Sequence, residues 1–230
     1  MNQFPKKRLI MFGELLLHFG IKEFATFVTA TIIFAMTPGI DTVFVLNRAI
    51  GYDKHIGSMA ALGVASGVLV HTVLAAVGLA AIVAKSVMLF SMIKYLGAAY
   101  LVYLGVMIIY HAIKNPTKLA IHSSSNTIPI SAWQAYRSGL LTNVLNPKVA
   151  LFFLAFFPQF IVATQVDNAA AYLLLGVVYA MISAVWLVAL AMLAGTVLSK
   201  LLTSQKAKRY MDIGSGAVFV LMGAKVAVSD

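Results

Sequence analysis

Two short polar stretches interrupt apolar runs of this sequence and could carry chemistry there. The first, residues 37–41, reads Thr-Pro-Gly-Ile-Asp and lies inside the apolar run 24–46. Proline lacks a backbone donor and clashes with the preceding helical turn, and glycine loosens the helix further. A carboxylate such as Asp41 costs about 2.5 kcal/mol or more at a bilayer centre. The stretch predicts a broken helix lining a polar site, with a simple proline kink and a near-surface aspartate as the alternative.

The second stretch, residues 143–148, reads Asn-Val-Leu-Asn-Pro-Lys. Proline suits the first turn of a helix, so Pro38 and Pro147 predict helices that restart after each break. The backbone donors at a helix start suit an anion, whereas Asp41 suits a cation or a proton. Together they predict a zwitterion site, with the carboxylate on both helix starts and the ammonium on Asp41. The predicted substrate-binding residues are Thr37, Pro38, Gly39, Asp41, Asn143, Asn146, Pro147 and Lys148.

Two further ionisable side chains each allow two interpretations. Lys148 either neutralises Asp41 when no substrate is bound or extends towards the membrane surface. His71 lies deep in the second apolar run, and histidine is a side chain that can exchange protons under physiological conditions. It is interpreted either as a proton relay acting with Asp41 or as a hydrogen-bonded packing histidine. Asp41 and His71 are thus the predicted proton-coupling residues, and no other carboxylate or histidine is expected deep in the spans.

Composition identifies the kind of protein that must hold such a site. Of the 230 residues, 61% are hydrophobic and 10% are charged, and the mean hydropathy is +0.94. Soluble domains carry about 25% charged residues, so an integral membrane protein is predicted. The long continuous apolar runs suit helices and not the alternating strands of a barrel. The net charge of +10 is attributed to loop Lys and Arg under the positive-inside rule, without a nucleic-acid partner.

Several kinds of chemistry lack the residues they need. The absence of cysteine removes disulfides, thiolate metal sites and cysteine nucleophiles. No Gly-rich phosphate loop, zinc-protease motif or nucleophile elbow occurs, so neither a cofactor nor an enzyme is predicted. A cation or metal ion exporter is the alternative function. It needs several inward carboxylates or histidines, and transition metals require more nitrogen or sulfur donors than Asp41 and His71 provide.

The chain divides into two halves with three predicted spans each. The predicted segments are an amino-terminal arm (1–20), a first repeat (21–114), a polar linker with an interfacial segment (115–137) and a second repeat (138–230). The first span of each repeat carries one proline break. Repeats with an odd number of spans insert with opposite orientations. The predicted fold is an all-α membrane protein with six transmembrane helices, arranged as two inverted three-helix repeats with broken first helices.

These residues resemble a known family. Residues 37–46 are similar to the TPGPDT motif of the LysE/RhtB amino acid translocators, with Ile40 in place of the second proline. Further similar segments follow in family order: Gly63, Gly67 and His71, then residues 95–105, then residues 139–160 with Asn-Pro-Lys at 146–148. The resemblance covers about residues 24–225.

The resemblance implies a multi-pass exporter of amino acids in the bacterial inner membrane, driven by the proton-motive force. The pattern is closer to the homoserine and threonine branch, which implies a neutral substrate and proton antiport. Asp41 would be occupied in turn by a proton and by the substrate's ammonium, while one repeat rocks against the other. The implied partners are the amino acid, protons and the lipid bilayer, and a homodimer is compatible with the resemblance.

Overall fold

The computed structural model describes residues 13–85, 87–114, 129–196 and 204–228, and these form helices without strands. The main helices are α1 (Phe24–Met36), α2 (Ile40–Gly51), α3 (Lys54–Lys85), α4 (Val87–Lys114), α5 (Ala132–Val144), α6 (Pro147–Phe156), α7 (Ala169–Met192) and α8 (Gln205–Val228). Two short 3₁₀ turns, Phe157–Phe160 and Ala163–Gln165, follow α6. The predicted all-α membrane fold is confirmed. Most of the predicted arm (1–20) and of the predicted linker (115–137) lies outside the described residues. So do residues 197–203 and 229–230 of the predicted second repeat.

The helices before and after each proline break form one bent span. The axis turns by 53° between α1 and α2 and by 52° between α5 and α6 with its 3₁₀ turn. α1 has 13 residues and is therefore about 20 Å long, which places its end well inside a hydrocarbon layer about 30 Å thick. Four further helices, α3, α4, α7 and α8, are long and apolar enough to cross a membrane. Counting each bent pair as one span gives up to six spans, and the predicted broken first helices are confirmed.

Corresponding helices of the two halves run antiparallel. Gly105 of α4 packs on Gly216 of α8, while Ala98, earlier in α4, meets Gly223, later in α8. The amino-terminal part of α3 shares an apolar cluster with the carboxyl-terminal part of α7, and the later part of α3 shares a second cluster with the beginning of α7. Antiparallel equivalents are what a two-fold axis in the membrane plane produces.

An aromatic cluster joins α1 of the first half to α6 of the second. The ring centroids of Phe34 and Phe152 are 3.8 Å apart, and those of Phe27 and Phe156 are 5.8 Å apart. The residues just before α1 are also hydrogen-bonded to the first 3₁₀ turn after α6. Lys22 N–H donates to the Phe160 carbonyl at 2.8 Å. The two half-helices thus pack as one unit across the repeat boundary.

α5 begins at Ala132, inside the predicted linker and interfacial segment (115–137) and before the predicted start of the second repeat at residue 138. Ser131 caps the helix by accepting from Gln134 N–H at 3.1 Å, and the Gln134 side chain accepts from Ser131 N–H at 2.8 Å. This reciprocal pair is a capping box. Trp133 and Tyr136 of the predicted interfacial segment therefore lie in the first turns of α5, where their ring centroids are 5.3 Å apart.

Glycines bring α5 into backbone contact with α3. A Cβ atom at Gly63 would collide with the Tyr136 carbonyl, and one at Gly139 would collide with the Ala60 carbonyl. Small residues at matching positions allow such close helix packing in membranes. The contact places the polar end of α5 directly beside His71 of α3.

Candidate functional site

A small polar cavity lies where the two broken spans meet. Its volume is about 30 Å³, which is room for about one water molecule and not for an amino acid. Five predicted binding residues line it: Thr37, Gly39, Asp41, Asn146 and Lys148. The structure thus gathers residues that are about 100 positions apart in the chain around one small cavity.

Asp41 lies in the first turn of α2, where a negative charge is favourable. Its Oδ2 accepts a hydrogen bond of 2.9 Å from the Asn143 side-chain amide. Its Oδ1 is buried and has no hydrogen-bond partner among the described residues. Buried polar atoms normally have partners, so Oδ1 is an acceptor available to a proton or an ammonium group.

Asn143 holds Asp41 in place from behind the cavity. Its side chain is 1% exposed and packs against the bare backbone of Gly67 in α3. Its carbonyl accepts from Asn146 N–H at 2.9 Å and lies 3.1 Å from His71 Nε2. Asn143 therefore connects α2, α3 and the break of the second half, without being a cavity-lining residue.

The two helix starts at the breaks differ. Asn146 is the N-cap of α6, and its side-chain oxygen accepts from Lys148 N–H at 3.1 Å, with Pro147 at the first position. The start of α2 has Gly39 at the N-cap and no side-chain cap. Both helix starts were predicted to bind a carboxylate, but the structure leaves only the start of α2 without a side-chain cap. Pro38 and Pro147 shape the breaks and do not line the cavity.

Lys148 points into the bundle, towards residues of the first half. Its ammonium lies over the ring of Phe34, 4.6 Å from the centroid, and a Cβ atom at Gly39 would be 3.6 Å from its Nζ. In the part of the chain that the structure describes, it forms no direct ion pair with Asp41. The cavity therefore has one positive and one negative pole that are not joined to each other.

His71 is buried on α3 behind Asn143. It is 6% exposed, and its ring stacks on Phe153 with centroids 5.7 Å apart. Among the residues that the structure describes, its hydrogen-bond partner is the Asn143 carbonyl. The structure links His71 to Asp41 through Asn143 alone, and a role in proton coupling stays a prediction.

The sequence interpretation missed the wall of the cavity opposite the breaks. Tyr179, Ser183 and Leu187 of α7 line it. A signal was present, because a phenol and a hydroxyl four residues apart stand in an otherwise apolar run. Residues with that spacing share one helix face.

Asp212 is a buried carboxylate near the start of α8 that the sequence interpretation did not single out. Asp212 of α8 is 6% exposed and pairs with Lys208 at 2.5 Å, one helical turn away. The two charges also act electrostatically on Lys148. Within the described ranges, no three His, Asp or Glu side chains come together as a metal site would require.

Two broken helices that meet at a polar cavity, with antiparallel equivalents in the two halves, are typical of secondary transporters. The LysE type translocator model matches residues 32–230 of this chain. The chain therefore belongs to the LysE type translocator family, and the resemblance seen in the sequence motifs is confirmed.

Relatives align over nearly their whole length. The chain is 32% identical to an uncharacterized membrane protein of Pseudomonas aeruginosa, across 91% of this chain and 97% of the relative. It is 32% identical to a leucine efflux protein of an Enterobacter species, across 94% and 99% respectively. A leucine efflux protein of Salmonella typhimurium is 29% identical, across 94% and 98%. No solved structure matches the chain.

Proposed function

We propose that this translocator exports a neutral amino acid across the bacterial inner membrane by proton antiport. The observation that carries the proposal is the cavity between Asp41 and Lys148, whose opposite charges are not paired with each other. A zwitterion complements both poles. Its ammonium would bind Asp41 Oδ1, and its carboxylate would bind Lys148 and the uncapped backbone donors of α2.

The relatives support a substrate with an uncharged side chain. Those named leucine efflux proteins match this chain across 94% of its length. The α7 wall adds no charge to the cavity, so a lysine or arginine side chain would find no counter-ion there. An aliphatic substrate is favoured by these names, and the homoserine- or threonine-like substrate stays a prediction, as does a homodimer.

The single free acceptor on Asp41 supports proton antiport. One proton or one ammonium group can occupy Oδ1, but not both. After the amino acid leaves on the far side, a proton binds Asp41; it is released on the near side before the next ammonium binds. One proton thus moves inward for each zwitterion that moves outward. The cavity is too small for an amino acid, so the bundle must open before one enters. In antiport it opens to one side of the membrane at a time.

Export is tested directly with inside-out vesicles that contain the protein. We expect vesicles with an acidic interior to accumulate radiolabelled leucine, and a protonophore to stop the accumulation. Lysine should not accumulate. Vesicles without the protein give the background, and a wild-type protein that moves no amino acid in any gradient contradicts the proposal.

His71→Gln separates the two interpretations of this histidine. Glutamine can donate to the Asn143 carbonyl as the ring can, but it does not titrate. With a relay at His71, gradient-driven export should fall by about 100-fold, the lower range for a lost proton-transfer group. Exchange of labelled for unlabelled leucine without a gradient should persist. Wild-type rates in both assays would make His71 a packing residue.

A further inference from the structure

One face of α7 forms part of the cavity wall. Tyr179, Ser183 and Leu187 are spaced by four residues and therefore lie on one stripe of the helix. They are 3%, 6% and 3% exposed, and all three line the cavity. On the other face of α7, Met181 and Val185 are 56% and 73% exposed. The stripe is thus turned inward, away from the lipid.

The two sides of the cavity have different chemistry. Asp41 and Lys148, which belong to the broken spans, carry the charges on the cavity wall. The α7 stripe offers a phenol, a hydroxyl and an isobutyl group. All amino acids share the ammonium and carboxylate that the charged side complements. Selection among amino acids therefore depends on the uncharged side.

Tyr179 is fixed by its aromatic neighbours. Its ring lies 5.6 Å from Phe152 and 5.6 Å from Phe153, measured between centroids, and 6.1 Å from Phe34. A residue held on several sides sets a firm boundary, because packed interiors yield little to added volume. Ser183, one turn further along α7, has the smallest side chain of the stripe. Replacement there changes the available space and polarity without moving the aromatic cluster.

We propose that Tyr179, Ser183 and Leu187 form the subsite for the substrate's side chain, with Ser183 as the specificity-determining residue. This inference rests on the proposed function. Leu187 suits an aliphatic side chain, and the Ser183 hydroxyl accommodates a short hydroxylated one. Tyr179 limits the length of the side chain. We expect the subsite to accept side chains up to the size of leucine and to exclude aromatic ones, because the fixed ring of Tyr179 bounds it. Charged side chains are excluded because the stripe has no counter-ion.

The test compares Ser183→Ala and Ser183→Leu with a matched control on the lipid face, Val185→Leu. Inside-out vesicles exchange labelled leucine or alanine against unlabelled glycine, alanine, threonine and leucine, and the concentration that halves the exchange is measured for each. Ser183→Ala should raise the preference for leucine over threonine by about tenfold, the value of one lost hydrogen bond. Ser183→Leu should raise the concentration of leucine that halves the exchange by about tenfold or more, while the values for glycine and alanine change little.

Val185→Leu should keep the wild-type order and ratios. Equal changes for all four amino acids in both Ser183 variants, or unchanged ratios in Ser183→Ala, would overturn the subsite. Ser183→Ala removes only one oxygen atom, so this arm holds even if Ser183→Leu does not fold. A wild-type protein that exchanges no amino acid would instead refute the proposed function, which distinguishes the two failures.

Discussion

Asp41→Asn is expected to reduce gradient-driven export to background while the protein still inserts and folds. Asparagine has the same shape, and its side-chain oxygen can still accept from the Asn143 amide, as Asp41 Oδ2 does at 2.9 Å. The packing around α2 is therefore kept. What is lost is the negative charge that binds ammonium and the group that exchanges a proton.

The expected size of the loss follows from the charge. Hydrogen bonds to charged groups contribute about 1.5–3 kcal/mol, so the substrate should bind roughly 10- to 150-fold more weakly. Without a titrating carboxylate the coupling to protons also stops, which removes export itself. Leucine accumulation in inside-out vesicles, normalised to the amount of inserted protein, measures both effects.

Asp53→Asn is the matched control, because it makes the same chemical change away from the cavity. Asp53 is exposed and accepts from Ile56 N–H at 2.8 Å at the start of α3. Asparagine caps helices as well as aspartate does, so this variant should export at the wild-type rate. Full export by Asp41→Asn would remove Asp41 from the mechanism.

The breaks were predictable because their cause is local. Proline lacks its N–H wherever it occurs, so Pro38 and Pro147 interrupt helices before any tertiary contact is considered. The spans were predictable for the same reason, since length and apolarity are properties of the segment itself. The early start of α5 was also readable, because Ser131 and Gln134 have the spacing of a capping box.

The composition of the cavity wall depends on packing and was not predictable in full. Which face of α7 turns inward is decided by its neighbours, so Tyr179 and Ser183 were missed despite their spacing. Asp212 follows a run of basic residues in the sequence, and its pairing with Lys208 depends on the fold. The capping of α6 by Asn146 likewise depends on a side-chain rotamer, and it leaves α2 as the start without a side-chain cap.

The α1–α6 contact bears on how the bundle opens. The predicted rocking of one repeat against the other would separate Phe34 from Phe152, whose rings stack at 3.8 Å. Aromatic pairs contribute about 0.5–1.5 kcal/mol each beyond their buried area, and several such pairs join these half-helices. Movement of α1 and α6 together, with hinges at the two breaks, keeps this cluster intact.

Gly67→Ala should impair export without touching any cavity-lining residue. An added methyl group would stand 2.7 Å from Cβ and from Oδ1 of Asn143, which is too close for either atom. Asn143 must then move, and its hydrogen bond to Asp41 is lost or lengthened. Overpacking of this kind costs about 1–3 kcal/mol, so we expect export to fall by roughly tenfold or more, together with a lower unfolding temperature.

Gly78→Ala is the matched control on the same helix, since no atom lies within 4 Å of the added methyl group. Alanine is also the better helix former, so this variant should insert and export like the wild type. The decisive comparison is with Asn143→Ala, which removes the side chain that the methyl group displaces. If Gly67 acts only through Asn143, the double variant Gly67→Ala/Asn143→Ala should export no less than Asn143→Ala alone. A further large loss in the double variant would show that the glycine serves α3–α5 packing and not the position of Asp41.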